Sequence, residues 1–125
     1  IKLITNLVLG LNRLALAEGL ALAEAFGVKG EVALEALRGS MAYSRAVDAK
    51  GLKMIRRDFT PQARLSQHLK DLRLILDCAQ QTGLELPLGA LHLQLLQSAE
   101  AAGLGDLDNS AVIELLRRPG RPPAP

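Results

Sequence analysis

The stretch KLITNLVLGLNRLALAEGLALAEAF, residues 2–26, decides the fold of this 125-residue chain. Leucine and alanine dominate it, and both favour helix, whereas strands are rich in β-branched and aromatic residues. Apolar residues surround nearly the whole circumference of a helix with this sequence, which is typical of a helix buried on most sides. Small residues recur at Ala15, Gly19 and Ala23, a spacing that lets a neighbouring helix approach closely. The stretch therefore predicts one long central helix.

The rest of the chain continues the helical pattern in shorter pieces separated by glycine and proline. Gly83 is expected to cap one of these helices at its C-terminus, and the loop 105–110 to cap the last. The predicted helices after the first cover residues 31–38, 41–57, 64–82, 86–102 and 111–117. No βαβ pattern and no glycine-rich phosphate loop occur. The sequence predicts a single all-α domain of six helices, two of them long, over residues 1–118, followed by a solvated proline-rich tail, 119–125.

Charge and aromatic content argue against a nucleic-acid partner. Fifteen Lys and Arg stand against thirteen Asp and Glu, for a net charge of +2, and the two signs are interspersed. The chain has one Tyr, two Phe and no Trp, so side chains that could stack on bases are scarce. Basic patches with interleaved aromatics, the usual footprint of nucleic-acid binding, are absent from the sequence.

Cysteine content and hydropathy give expectations about location. Cys78 is the only cysteine, which excludes an internal disulfide and favours a cytoplasmic protein. The longest charge-free run, 86–99, is too short and too polar to span a bilayer, so no membrane partner is expected. Because the chain begins at Ile1 without an initiator Met, we expect it to be a piece of something longer.

Two groups of polar residues are candidates for chemistry. Lys2 and Asn6 stand one helical turn apart, and so on one face. Lys70 and Asp71 are adjacent and point about 100° apart on a helix, so they could serve neighbouring parts of one ligand. Each group also fits an exposed pattern of solvated charges. The two histidines lack carboxylates at ligand spacing and are interpreted as ordinary helix residues, not as a metal site.

Short motifs in a fixed order carry a resemblance to a known family. Together they resemble the C-terminal helical domain of the β-hydroxyacid dehydrogenases, whose fold is that of the 6-phosphogluconate dehydrogenase C-terminal domain. The motifs span nearly the whole chain, and their order makes the resemblance fairly specific. In order they are KLITN (2–6), AEGLALA (17–23), FGV (26–28), GSMAYS (39–44), DF (58–59), HLKDL (68–72), GLELPL (83–88) and GLGDLD (103–108).

The resemblance implies a function and a set of site residues. In this family an N-terminal Rossmann domain binds NAD or NADP, and the helical domain completes the active-site cleft. Lys2 then occupies the position of the catalytic lysine, and Asn6 holds Lys2 or the substrate. Lys70 matches the cofactor-contacting lysine, and Asp71 lies at the substrate end. Where the family often carries a pocket aromatic, this chain has Ala63, which leaves the identity of the small hydroxyacid or semialdehyde substrate open.

The same resemblance implies a Rossmann domain of the same parent chain as partner, together with a homodimer. Because hydride transfer needs the nicotinamide and this chain has no dinucleotide fingerprint, the chain alone is expected to be inactive. The alternative is a non-catalytic helical dimerisation or assembly module. The long apolar helix would then expose a patch that self-association covers, most commonly in a two-fold dimer.

Overall fold

A computed structural model describes residues 1–117, which form one all-α domain with six helical elements, as predicted. Five are α-helices and the last is a 3-10 helix. The proline-rich tail predicted at 119–125 lies outside the described residues. The elements are α1 (Lys2–Ala25), α2 (Gly30–Arg38), α3 (Arg45–Arg56), α4 (Leu65–Gln81), α5 (Pro87–Ala101) and the 3-10 helix (Asn109–Leu115).

Helix α1 is central but is less covered than its composition predicts. It contacts every other element of the described chain. By length and hydropathy α1 could cross a membrane, yet seven of its residues, among them the charged Arg13, are buried within this fold. The large apolar side chains that α1 leaves exposed are Leu3, Ile4, Val8, Leu9 and Leu22.

The stripe of small residues on α1 does not receive a neighbouring helix along its length. Ala15 and Gly19 are exposed, and a Cβ added at Gly19 would meet no atom within 4 Å. The buried face passes instead through Ala17 and Leu20, which join the common core with side chains from the other five elements. Among residues 1–117, the expectation of close helix packing is therefore wrong at Ala15 and Gly19, whereas Ala23 is buried.

Glycine ends α4 as predicted. Gly83 has φ of +78°, in the left-handed region that glycine adopts without strain. Its N–H donates to the carbonyl of Gln80, and the N–H of Leu84 donates to the carbonyl of Ala79. These two bonds satisfy carbonyls that the helix end leaves without partners.

Two predicted boundaries are wrong. Helix α3 begins at Arg45 and not at residue 41, because 39–44 form turns held by Ser40, whose hydroxyl donates to the carbonyl of Leu37 and accepts from the N–H of Ala42. The last helix begins at 109 and is of the 3-10 type. The Asp108 side chain caps it by accepting from a backbone N–H two residues on, so the loop does act as a cap.

A buried ion pair organises the loops around the start of α4. The fully buried carboxylate of Asp108 accepts from Lys50 Nζ, with both oxygens 3.0 Å away. The backbone N–H groups of Gln62 and Ala63 donate to Oδ1 over 2.9 and 3.2 Å, and the N–H and hydroxyl of Ser110 donate to Oδ2. Burial alone raises the pKa of Asp108, but the hydrogen bonds outweigh it and hold that pKa well below its usual range.

The same loop caps α4 through its backbone. The N–H of Leu65 donates to the carbonyl of Leu107 over 2.9 Å, and the N–H of Ser66 donates to the carbonyl of Gly105 over 2.9 Å. These N–H groups have no partner inside the helix, so the loop supplies what a side-chain cap would otherwise supply. The start of α4 is thereby fixed against the segment that holds Asp108.

We expect Asp108→Asn to lower the free energy of unfolding by about 3 to 5 kcal/mol, because it leaves the buried ammonium of Lys50 without its counter-charge. Urea unfolding at neutral pH measures the change. The matched control is Asp106→Asn, at an exposed carboxylate two residues away, which should change stability by less than about 0.5 kcal/mol. Equal effects of the two substitutions would contradict this role of the ion pair.

Gly51 lets α2 and α3 approach closely, although in sequence it looks like a weak point of α3. A Cβ at this position would lie 2.4 Å from Cδ2 and 3.1 Å from Cδ1 of Leu34, a fully buried side chain. The whole isobutyl group would have to move. The glycine is therefore required by packing and not by backbone conformation.

Two glycine-to-alanine substitutions should act in opposite directions. Gly51→Ala should destabilise the fold by about 1 to 3 kcal/mol through overpacking against Leu34. Gly19→Ala, in open space on α1, should stabilise it by up to about 1 kcal/mol, because alanine has the higher helix propensity. Thermal unfolding followed by circular dichroism measures both, and a stabilising Gly51→Ala would refute the packing argument.

Candidate active site

The first two turns of α1 and the middle of α4 meet through one polar contact. The amide Nδ2 of Asn6 donates to Oδ2 of Asp71 over 3.3 Å, and both side chains are half-buried. Lys2 and Asn6 line one surface depression together with Thr5 and Leu9. The structure therefore places Lys2 and Asn6 on one face, as their spacing predicts, and brings Asp71 to the same place from another helix.

The carboxylate of Asp71 has a second donor. Gln67 lies one turn earlier on α4, and its Nε2 donates to Oδ1 over 3.0 Å. Asn6 and Gln67 thus hold the two oxygens of one carboxylate from two helices. Sequence reasoning missed Gln67, although its four-residue spacing from Asp71 is the signal by which a helical side-chain pair can be found.

The two lysines that the sequence analysis predicts for the site are exposed side chains. Lys2 and Lys70 are both exposed. Neither forms an ion pair among residues 1–117. Lys70 precedes Asp71 on α4 and points about 100° away from it, so it flanks the carboxylate and does not contact the same atom. Lys2 shares a surface depression with Asn6, and Lys70 is the neighbour of Asp71 on α4.

A buried cluster of basic side chains lies beside this contact. The rings of His68 and His92 are 5.4 Å apart and both are buried, as is Arg13 on α1. His68 Nε2 lies only 2.3 Å from where a Cβ on Gly10 would stand, so glycine is needed there for α1 to pass over the two rings. Three buried atoms of this cluster have no hydrogen-bond partner within residues 1–117, namely His68 Nε2, His92 Nδ1 and Arg13 Nη2.

Both histidines are neutral in the folded chain. Burial lowers the pKa of His68 to about 3, the charge of Arg13 and the protonated form of His92 lower it further, and Asp71 opposes them. Burial and the charge of Arg13 lower the pKa of His92 to about 4. Burial lowers the pKa of Arg13 itself to about 10, against the opposing charge of Asp108. Arg13 therefore keeps its charge at neutral pH.

Both histidines are buried and pack against each other under Gly10 of α1. Among residues 1–117 no group of three or more His, Cys, Asp or Glu side chains could hold a metal ion. What the site offers chemically is an exposed ammonium one turn from an amide. An ammonium in this setting can polarise a carbonyl oxygen and donate a proton to it.

Comparison with known proteins identifies the family. Residues 1–116 match the family described as the NAD-binding domain of NADP-dependent 3-hydroxyisobutyrate dehydrogenase. The chain is 33% identical over 116 residues to glyoxylate/succinic semialdehyde reductase 1 of Arabidopsis thaliana, covering 93% of this chain and 40% of that protein. It is 34% identical over 115 residues to 2-hydroxy-3-oxopropionate reductase of Escherichia coli K12, covering 92% and 39%.

A solved structure agrees with the sequence comparison. A 3-hydroxyisobutyrate dehydrogenase from Salmonella typhimurium superposes with a TM-score of 0.88 at 32% identity, over 91% of this chain and 40% of that one. The chain spans about 40% of the length of these relatives. These comparisons identify the chain as the helical domain of a dehydrogenase. The chain belongs to the 3-hydroxyisobutyrate, or β-hydroxyacid, dehydrogenase family, as its C-terminal NAD-binding domain.

The two buried histidines should make the fold sensitive to acid. Their folded pKa values of about 3 and about 4 lie below the unfolded value of about 6.5, so the unfolded chain binds more protons in between. The contribution of the two neutral histidines to the free energy of unfolding should be fully present above about pH 6.5. Below that pH the free energy of unfolding should fall, with a slope approaching about 1.4 kcal/mol per pH unit for each histidine. Urea unfolding between pH 7 and about 4.5, above the carboxylate range, measures this.

The control for this experiment replaces both rings with apolar side chains, His68→Met with His92→Leu. The double variant should show a nearly flat stability over the same pH range, because it has no imidazole to protonate. A wild-type chain whose stability is already flat there would contradict the assignment of neutral buried histidines.

Proposed function

We propose that the chain is the substrate-side helical domain of an NAD(P)-dependent 3-hydroxyacid dehydrogenase or semialdehyde reductase, and that it supplies the catalytic lysine. The observation that carries the proposal is the contact between Asn6 and Asp71, 65 positions apart in the chain, beside the unpaired ammonium of Lys2. The printed names of the relatives support the reaction class, since they are reductases of semialdehydes and related oxo acids.

In this proposal Lys2 is the general acid. Its ammonium donates a proton to the carbonyl oxygen of the substrate as that oxygen gains negative charge, and the amine takes the proton back in the oxidation direction. The positive charge also stabilises the developing alkoxide. The exposure of Lys2 and its lack of an ion partner among residues 1–117 leave the whole charge available for this task.

Asn6 and Asp71 orient the reacting groups. A carboxylate only accepts hydrogen bonds, so the NH₂ group of Asn6 must face Asp71, and the amide oxygen is left as an acceptor. That oxygen can bind the ammonium of Lys2 or a hydroxyl of the substrate. Asp71 thereby fixes which end of the amide is presented to the ligand.

NAD or NADP supplies the hydride when it is bound. Lys70 suits a contact with this anionic cofactor because it is an exposed cation beside Asp71 with no ion partner among residues 1–117. The chain spans about 40% of its relatives, so we propose that a Rossmann domain of the same parent chain holds most of the cofactor. The helical chain alone is then inactive.

Exposed apolar side chains support both this partner and a homodimer. Ile4, Val8 and Leu9 stand exposed on the first half of α1, beside the end of the chain where a preceding domain would join. The same exposed apolar surface favours the alternative, a non-catalytic assembly module in which a second copy of the chain covers α1. The alternative requires no reaction at Lys2, and the experiment below separates the two.

We expect Lys2→Ala, in a parent polypeptide that carries a dinucleotide-binding domain, to lower the turnover of semialdehyde with NAD(P)H by about 10²- to 10⁴-fold. Binding of NAD(P)H, measured by fluorescence titration, should be nearly unchanged. The matched control is Lys29→Ala, which removes an exposed lysine at the start of α2 and should keep full turnover. The 125-residue chain alone should show no turnover.

Full turnover in the Lys2→Ala variant would remove the proposed mechanism. Turnover by the 125-residue chain alone would refute the division of labour between domains. A parent polypeptide that binds no NAD(P)H and has no turnover, yet forms a stable dimer, would favour the assembly module.

A further inference from the structure

Gln67 is the polar side chain at the site to which neither the family comparison nor the proposed mechanism gives a task. It is exposed on α4, and its Nε2 donates to Asp71 Oδ1 over 3.0 Å. This is the one hydrogen bond of its amide among the described residues. Among residues 1–117, Gln67 is not one of the side chains that form the hydrophobic core.

Gln67 completes the restraint of the Asp71 carboxylate. A single donor leaves a carboxylate free to rotate about its χ2 torsion, which is a broad and soft torsion. With Asn6 on Oδ2 and Gln67 on Oδ1, the plane of the group is fixed by donors from two different helices. Gln67 comes from the same helix as Asp71, one turn away, so it holds the carboxylate even when α1 shifts relative to α4.

The restraint of the Asp71 carboxylate also determines the orientation of the Asn6 amide. Asn6 and Gln67 bond the two oxygens of one rigid, planar carboxylate, so the geometry of the bond from Asn6 depends on where Gln67 holds that group. If the carboxylate turns, the amide of Asn6 loses the partner that decides which of its ends faces the ligand. Such a loss affects the reacting geometry, since small misplacements of positioning groups slow catalysis strongly.

We propose that Gln67 is a positioning residue of the active site, which holds the Asp71 carboxylate so that Asn6 presents its amide oxygen beside Lys2. This inference rests on the proposed function. It adds to that function a requirement at position 67 for a side chain that donates a hydrogen bond and reaches one helical turn. Neither the resemblance to the family nor the spacing of the lysine–asparagine motif contains this requirement.

Three substitutions at this exposed helical position separate donor chemistry from size. Gln67→Met keeps the length and removes the donor, Gln67→Lys keeps a donor, and Gln67→Glu places a second negative charge beside Asp71. All three residues favour helix about as well as glutamine, so the fold should be retained. Thermal unfolding of each variant checks this directly.

Steady-state kinetics of the two-domain enzyme should rank the Gln67 variants by kcat in a defined order. Gln67→Met should lower kcat by roughly 3- to 10-fold, as expected for one lost hydrogen bond, with KM for NAD(P)H unchanged. Gln67→Glu should lower kcat further, because like charges then face each other. Gln67→Lys should stay within about two-fold of wild type. The control, Gln80→Met, at another exposed glutamine of α4, should keep full activity.

A double-variant test then excludes an indirect effect. In an Asp71→Ala background, Gln67→Met should cause no further loss of kcat, because its partner is gone. Equal activity of wild type, Gln67→Met and Gln67→Glu would overturn the inference. So would a Gln67→Lys variant as slow as Gln67→Met, or losses that simply multiply in the double variant.

Failure of this inference is distinguishable from failure of the proposed function. If Lys2→Ala and Asp71→Ala lower turnover while every Gln67 variant behaves as wild type, the mechanism stands and the role of Gln67 is refuted. If Lys2→Ala is fully active, the mechanism itself falls, whatever the Gln67 variants do.

Discussion

The ion pair between Lys50 and Asp108 is the constraint on which the rest of the structure depends. The carboxylate is fully buried, and its two oxygens collect an ammonium, three backbone N–H groups and a hydroxyl. This degree of pairing offsets the cost of burying the carboxylate and keeps it charged. The bonds tie α3 and the loop before α4 to the start of the 3-10 helix, so the first turn of α4 is fixed in place. Asp71 lies further along the same helix and meets Asn6 from there.

The balance of charge around the site follows from the same packing. Arg13 is buried between the Asp108 region and the two histidines, and its positive charge helps to keep both rings neutral. The two rings behind the site are neutral, so Arg13 is the charged member of the buried cluster. The packing of α1 over the two rings requires glycine at position 10, since a side chain there would collide with His68. The buried cluster therefore supports the geometry of the site without contributing a group to its surface.

Much of the fold follows from local patterns. The extent of α1, the glycine that ends α4, the six helical elements and the membership in the dehydrogenase family all come from residues close together in sequence or from motifs in order. The errors share one cause. Residues 41–44 have a helical sequence pattern, but side-chain bonds to the backbone compete with helix there. The stripe through Gly19 has the spacing of a close helix contact, yet no helix within residues 1–117 packs on Gly19. A local sequence pattern indicates that a helix face could pack closely, but it does not show which element, if any, packs against that face.

By itself the sequence determined that this chain is helical, where its long helices run, and that Lys2 and Asn6 share a face, because helical geometry relates residues within a turn or two. Only the tertiary structure decided that Asn6 meets Asp71, that Gln67 holds the other oxygen, and that Lys50 pairs with Asp108. The Asn6–Asp71 and Lys50–Asp108 contacts join positions 65 and 58 residues apart. Contacts between residues so far apart in sequence depend on the direction in which the loops lead the chain and on which side chains the core buries. Sequence periodicity does not contain that information.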